Sequence, residues 1–192
     1  MKPISFLLFL CLTFAWLPGY AQKRHSHNGF VVEDVVQYSP LAAMYALKLS
    51  GVKSAHTYAD ITALVAASYC ITATSVCTLK QIVDERRPNG KDYDAFPSGH
   101  SAVAFMGAEL LRLEYKDTSP WIGYAGYAAA LYTAAARVAH DEHYIHDVLA
   151  GAGIGILGTR AAYWICPRVH KTLSALPFYN GNVAGFSLAM VF

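Results

Sequence analysis

The sequence predicts an all-α fold, a bundle of about five to six helices associated with a membrane. Apolar residues recur at helical spacing from Val31 to Leu49. Two 19-residue runs, Ile61 to Leu79 and Thr118 to Ala136, contain no charged side chain. Hydrophobic residues make up 55% of the chain and charged residues 15%, against the roughly 25% charged share of ordinary soluble domains. At 192 residues the chain has room for one domain.

The elements follow in order. Lys2 precedes an apolar run, Ile4 to Leu17, and then Pro18-Gly19-Tyr20-Ala21. This pattern predicts a signal peptide over residues 1–21, cut after Ala21, and hence an exported protein. The alternative is an uncleaved membrane anchor. Residues 22–29 read as a polar arm in which His25 and His27 are solvated. The pattern from Val31 to Leu49 carries Glu33, Asp34 and Gln37 near its start, and Gly51 stops it. A second helix starts near Tyr58, and its uncharged run is at the lower end of what spans a bilayer. Its many Thr and Ser residues leave a buried helix of a soluble protein open.

Asp84 to Phe96 is a loop by composition, with Pro88-Asn89-Gly90 as a turn signal. Further helices are expected from Ser101 to Tyr115, across Thr118 to Ala136, and from Asp147 to Cys166, the last closed by Pro167. The core domain is expected over 22–176. After Pro177, Phe186 to Phe192 alternates large apolar side chains and reads as a single strand without a partner, left to disorder or to docking on the bundle.

Charge and cysteine usage exclude several classes. A net charge of +2 and the lack of a dense Lys/Arg run argue against a nucleic-acid partner. Removing the signal leaves Cys70, Cys77 and Cys166, with no Cys-x-x-Cys pair for zinc or redox chemistry, so small buried thiols are expected. If five helices crossed a bilayer, Lys48, Lys53, Arg112, Lys116, Arg168 and Lys171 would share the cytoplasmic side. Lys80, Arg87, His100, Arg137, His143 and Asp147 would then share the periplasmic one. Glu33, Asp34 and Glu109 count against that arrangement unless they are packed, because a bare carboxylate in lipid is costly. Gly153 to Gly158 matches G-x-G-x-x-G, but no strand precedes it and no acidic residue follows Asp147. Gly151 and Gly155, four apart, instead predict a smooth face for close helix packing.

The chemistry concentrates between Lys80 and Asp147. Lys80 and Arg87 are seven apart, so two helical turns could put both cations on one side of a helix end. Ser98, in Pro97-Ser98-Gly99-His100, is a natural N-cap, and the free N–H groups of a helix start attract an anion. Gly99 lets backbone approach a ligand closely. His100 could donate a proton to a leaving oxygen. His143 and Asp147, four apart, could meet on one helix face, where the carboxylate would fix the imidazole tautomer and leave the other nitrogen free to attack. Arg137 adds a third cation. His140 and His146 crowd the segment and raise a metal site, which the nearby Lys and Arg side chains oppose.

Three blocks, Lys80 to Pro88, Pro97 to His100, and Ala136-Arg137 through His143 to Asp147, resemble the K-x6-R-P, P-S-G-H and S-R-x5-H-x3-D patterns of the type 2 phosphatidic acid phosphatase (PAP2) superfamily. Order and internal spacing are kept. Ala136 stands where that family usually has Ser, which puts a minor hydrogen bond in doubt. The run from His143 to Gly151 looks more like the membrane lipid phosphatases than the soluble class A acid phosphatases.

The resemblance implies His143 as nucleophile forming a phosphohistidine, Asp147 orienting it, and His100 protonating the departing alcohol. Lys80, Arg87, Ser98, Gly99 and Arg137 would hold the phosphate oxygens, with no metal and no cofactor. It implies a phosphatase acting on a lipid phosphomonoester or pyrophosphate, with the active site facing the periplasm from the inner membrane. Phosphatidic acid, phosphatidylglycerol phosphate, undecaprenyl pyrophosphate and lipid A phosphates are all candidates. The alternatives are a soluble periplasmic acid phosphatase of broad specificity, a vanadate-dependent haloperoxidase, and an inactive fold that only binds anionic head groups.

Overall fold

The computed structural model describes residues 32–170, 173–179 and 184–190. The expected signal segment and the arm bearing His25 and His27 lie outside the described residues. Six helices are described: α1 (Val32–Val36), α2 (Ser39–Leu49), α3 (Tyr58–Ile82), α4 (Gly99–Tyr115), α5 (Pro120–Ala139) and α6 (Ile145–His170). A pair of strands, β1 (Leu173–Tyr179) and β2 (Ala184–Met190), follows the bundle. The expected helical bundle is present.

Local chemistry sets most boundaries. The run expected as one helix from Val31 to Leu49 is two, because Pro40, in the first turn of α2, has no N–H to join a continuous ladder. Tyr38 N closes the first piece onto Val35 O at 3.0 Å. Gly51 takes φ +83° after α2, a conformation that costs glycine least. Thr57 caps α3 by accepting from Asp60 N at 3.3 Å. Pro167 does not close α6, which runs on to His170. A proline there removes one ladder bond and crowds the carbonyl four residues back, yet one further turn follows it.

α4 is the axis of the bundle, with α6, α5, α2 and α3 packed around it and α3 also against α6. Glycine sets the tightest of these contacts. A Cβ on Gly151 would lie 2.4 Å from Ser98 O, and one on Gly155 would lie 2.2 Å from Ala102 O. The smooth face expected at these two glycines is therefore what seats α6 on α4. The G-x-G-x-x-G segment lies wholly inside α6. Met44, Ile61, Leu64, Met106, Leu110 and Tyr115 form one core, and the Tyr115 hydroxyl donates to Met44 O at 2.8 Å. A second, alanine-rich core joins α4, α5 and the start of α6 through Ala104, Phe105, Ala108, Ala130, Ala134 and Val148.

Of the carboxylates that count against a membrane-spanning bundle, Glu109 is packed, while the Asp34 side chain stays partly exposed. Glu109 is fully buried and accepts from Arg112 Nε at 2.7 Å, Arg160 Nε at 2.9 Å and the Tyr127 hydroxyl at 2.6 Å. Glu114 is tied to His56 Nδ1 at 2.8 Å and to the Tyr163 hydroxyl. Burying these charges is tolerable because each oxygen has donors.

Among the described residues, two helices are long and apolar enough to cross a membrane, Tyr58–Ile82 and Ile145–Cys166. α5 is not among them, since its uncharged run is made largely of weakly apolar Ala, Gly and Tyr. Trp121, Tyr124, Leu131, Leu149, Leu157 and Trp164 are exposed large apolar side chains on α5 and α6. Cys77 is exposed, and Cys70 and Cys166 are half-buried, so these are not the buried thiols expected.

The tail also departs from expectation. The strand read near Phe186 has a partner: β1 and β2 pair antiparallel from Leu173↔Met190 to Tyr179↔Ala184, with Pro177 opposite Phe186. The short run Leu173 to Tyr179 has no clear alternation and includes Pro177, which hides a strand from pattern reading.

Candidate active site

The three sequence blocks meet at one end of the bundle, where α3 and α5 finish and α4 and α6 begin. Lys80 lies in the last turn of α3 and donates from Nζ to Asp94 O. Arg87 does not share that helix, because α3 ends at Ile82. The loop from Val83 to Pro97 turns back on itself instead. Ala95 N donates to Glu85 O at 3.0 Å, Arg87 N to Asp92 O at 3.0 Å, and Gly90 N to Arg87 O at 2.9 Å, with Gly90 at φ +73°. Asn89 N reaches Asp141 O at 2.9 Å and so joins this loop to the α5–α6 connection.

Ser98 caps α4 as expected, its side chain accepting from Ser101 N at 3.4 Å. Its own N–H donates to Asp147 O at 3.1 Å, which fastens the second block to the third. Gly99 opens α4, where an added Cβ would meet only Val76 Cγ1 at 3.9 Å, so protein packing leaves that side open. Arg137 is buried in the last turn of α5, and its carbonyl accepts from Glu142 N at 3.1 Å and His143 N at 3.3 Å.

His143 and Asp147 do not share a helix face, because α6 starts at Ile145 and His143 precedes it. His143 is 2% exposed, and its Nδ1 lies 2.7 Å from Ala95 O. A carbonyl can only accept, so Nδ1 carries the hydrogen and Nε2 keeps its lone pair. Asp147 Oδ2 stands 3.6 Å from the same Nδ1 and accepts from Tyr144 N at 2.7 Å. Burial, with Arg87, Arg137 and Lys80 close by, pushes the His143 pKa down to about 3. The imidazole is therefore neutral at physiological pH, which a nucleophile requires.

His100 presents Nε2 to Asp34 Oδ1 of α1 at 2.9 Å. The fields of Arg137 and Arg87 reach the same ring. Thus Lys80, Arg87 and Arg137 lie near His143, and Arg137 and Arg87 lie near His100 as well.

Sequence reasoning missed three contributors. Ala95 acts through its carbonyl, which no side-chain pattern reveals. Asp34 was read only as a helix-start acid. Glu142 is buried and accepts from Arg87 Nη1 at 2.7 Å and Lys91 Nζ at 2.9 Å, with Arg137 Nη2 at 3.6 Å. Burial alone would raise its pKa, but Lys91, Arg137 and Arg87 hold it down at about 2. Its position between the block's Arg and His was the available signal.

A metal could find ligands in Glu85, His146 and Asp147, whose donor atoms lie within 4.8 Å of one another. His146 Nε2 already sits 2.8 Å from Glu85 Oε1 and 3.0 Å from Asp147 Oδ1, with its ring stacked on Tyr144 and Phe96. Lys80 acts on Asp147 electrostatically and opposes a cation there. The pairing of His143 with His140 or His146 raised by spacing is not formed among these ligands.

Comparison with known proteins agrees with this geometry. A lipid A 1-phosphatase from Porphyromonas gingivalis is 34% identical over 141 residues, 73% of this chain and 32% of that protein. The bacitracin transport permease protein BcrC of Bacillus licheniformis is 31% identical over 84 residues, 42% of this chain and 39% of that protein. The chain thus spans about a third of the length of these curated relatives. The crystal structure of Aquifex aeolicus LpxE shares the fold with a TM-score of 0.56 at 18% identity, over 69% of this chain and 83% of that one. The PAP2 superfamily pattern matches residues 54–171, and with all three of its blocks drawn together at one end of the bundle the chain belongs to the PAP2 superfamily.

Proposed function

We propose that the protein is a phosphatase that hydrolyses a phosphomonoester or pyrophosphate of a membrane lipid through a phosphohistidine, without a metal, at the periplasmic end of the bundle. The observation that carries this reading is the state of His143. It is buried, held through Nδ1 by Ala95 O at 2.7 Å, neutral, and surrounded by Lys80, Arg87 and Arg137.

In the first step Nε2 of His143 attacks phosphorus, forming the P–N bond as the P–O bond to the alcohol breaks. His100 gives its proton to the departing oxygen, which leaves as a neutral alcohol. Lys80, Arg87, Arg137 and the Ser98-Gly99 turn stabilise the charge spread over the other phosphate oxygens. In the second step His100 takes a proton from water, the oxygen attacks phosphorus, the P–N bond breaks, and phosphate and neutral His143 return. Asp147 steadies His143 through the loop, by way of Tyr144 N, and favours the positive charge the ring carries as phosphohistidine.

The lipid part of the reading is supported by the exposed apolar side chains of α5 and α6, by the two apolar helices, and by relatives whose names specify a lipid A phosphatase and a permease. Phosphate release from a panel of lipid and water-soluble phosphoesters, in membrane and soluble fractions, tests it. Turnover of lipid phosphates in the membrane fraction is expected. Soluble activity on small esters alone would replace this reading with an acid phosphatase, and phosphate binding without release with a head-group binder. Chelation by EDTA should leave the rate unchanged, and a loss restored by zinc would overturn the metal-free mechanism.

A further inference from the structure

A half-buried general acid beside two arginines has an electrostatic problem, because burial first, and then each guanidinium, disfavours the imidazolium that must give up the proton. The charged groups that face His100 are Arg137 from α5, Arg87 from the loop and Asp34 from α1. Of these three, Asp34 alone is negative. Its Oδ1 lies 2.9 Å from His100 Nε2, across 66 residues of sequence. Asp34 also lies outside residues 54–171, the part of the chain that the family pattern matches.

Asp34 is held in place. The buried Gln37 donates from Nε2 to Asp34 O at 3.0 Å, Tyr38 N turns back to Val35 O at 3.0 Å, and the Ser39 hydroxyl donates to Val36 O at 2.7 Å. These bonds end α1 where Pro40 begins α2, and α1 packs against α5 and α4. An acid on an untethered arm would meet His100 only in passing, whereas this one is braced by three local bonds.

We propose that Asp34 is the positioning residue of His100. Its carboxylate fixes Nε2, opposes the burial and the two arginines that disfavour the imidazolium, and leaves Nδ1 as the nitrogen that serves the departing oxygen. The segment ahead of the family-matched region thereby completes the acid half of the site. This inference rests on the proposed phosphatase mechanism and deepens it.

The test compares the full-length wild type with Asp34→Asn on two esters, a lipid phosphomonoester with a poor leaving group and p-nitrophenyl phosphate with a good one. A good leaving group departs without help, so loss of the acid's partner should spare it. Asp34→Asn is expected to lower kcat on the lipid ester by roughly 10- to 100-fold and on the aryl ester by less than about threefold. The alkaline limb of the kcat profile on the lipid ester should move down by about one pH unit, since the imidazolium loses its counter-charge. Asp34→Glu, which keeps the charge, should recover part of the loss. Equal losses on both esters, an unmoved alkaline limb, or no loss at all would overturn the assignment. A fall in thermal midpoint with both esters affected alike would mark Asp34 as merely structural. A wild type that turns over neither ester would sink the phosphatase reading, and this inference with it.

Discussion

The imidazole of His143 is held by the carbonyl of Ala95 at 2.7 Å, while the carboxylate of Asp147 stands 3.6 Å from the same nitrogen. The tautomer is therefore set chiefly by backbone, and the two side chains should differ in what their removal costs. His143→Ala is expected to cut phosphate release by at least about 10³-fold, as loss of a nucleophile does. Asp147→Asn should cost about 10- to 100-fold, because Ala95 still fixes the ring. Initial rates on one substrate decide it. Asp147→Asn as inactive as His143→Ala would return the tautomer to the carboxylate.

The depressed pKa of His143 gives a spectroscopic prediction. With burial and the three cations favouring the neutral ring, its ring nitrogens should titrate near pH 3 rather than near 6.5. The 15N shifts of labelled histidine, assigned by the signal lost in His143→Ala, measure this. A His143 signal that moves between pH 6 and 7 would contradict it.

Glu142 links the site to stability. Its folded pKa, about 2, is below the ordinary 4.5, so its ionised form stabilises the fold above pH 4.5 and that contribution is lost as pH falls towards 2. Glu142→Gln should therefore lower the thermal midpoint at pH 7, and the gap from wild type should narrow as the buffer is taken below pH 4.5. Thermal melts across that range test it. Losing the charge beside Arg87 and Arg137 should also tighten inhibition by inorganic phosphate several-fold, read as a lower Ki.

The helix α6 offers a matched pair of substitutions. Gly155→Ala would put a Cβ 2.2 Å from Ala102 O and 2.8 Å from Met106 N, both backbone atoms that cannot swing aside. It should destabilise by about 1–3 kcal/mol or more, as overpacking does. Gly153→Ala meets nothing within 4 Å and should be neutral or gain up to about 1 kcal/mol from helix propensity. Thermal midpoints of the two variants, two residues apart, separate packing from composition.

The parts of this molecule that could be read from sequence are those carried by local chemistry. Ser98 caps α4, Gly90 turns the loop, Tyr58 starts α3, and Gly151 and Gly155 seat one helix on another, all from short patterns with a direct physical cause. Pro40 and Pro167 mark the limit of that approach: one split a helix expected whole, and the other failed to end one, because a proline's effect depends on whether it opens or finishes a turn. The site divided the same way. Lys80, Arg87, Ser98, His100, Arg137, His143 and Asp147 stand at recognisable spacings, yet Lys80 and Arg87 share no helix, nor do His143 and Asp147. Asp34 and Ala95 act across 66 and 48 intervening steps of chain, and no periodicity encodes such a contact. Glu142 is marked by its arginine and lysine partners, which come from the Val83 to Pro97 loop and are set only by the fold. The strand partner at Leu173 to Tyr179 was invisible because pairing is a property of two segments together.

Gly151 and Gly155 leave main chain resting on main chain where α4 meets α6. The block bearing His100 and the block bearing His143 and Asp147 are thus spaced by rigid atoms, not by side chains that can rotate. Squeezing or thinning whatever surrounds the bundle has little slack to exploit there, so turnover should change little between thick and thin bilayers so long as substrate can reach the mouth.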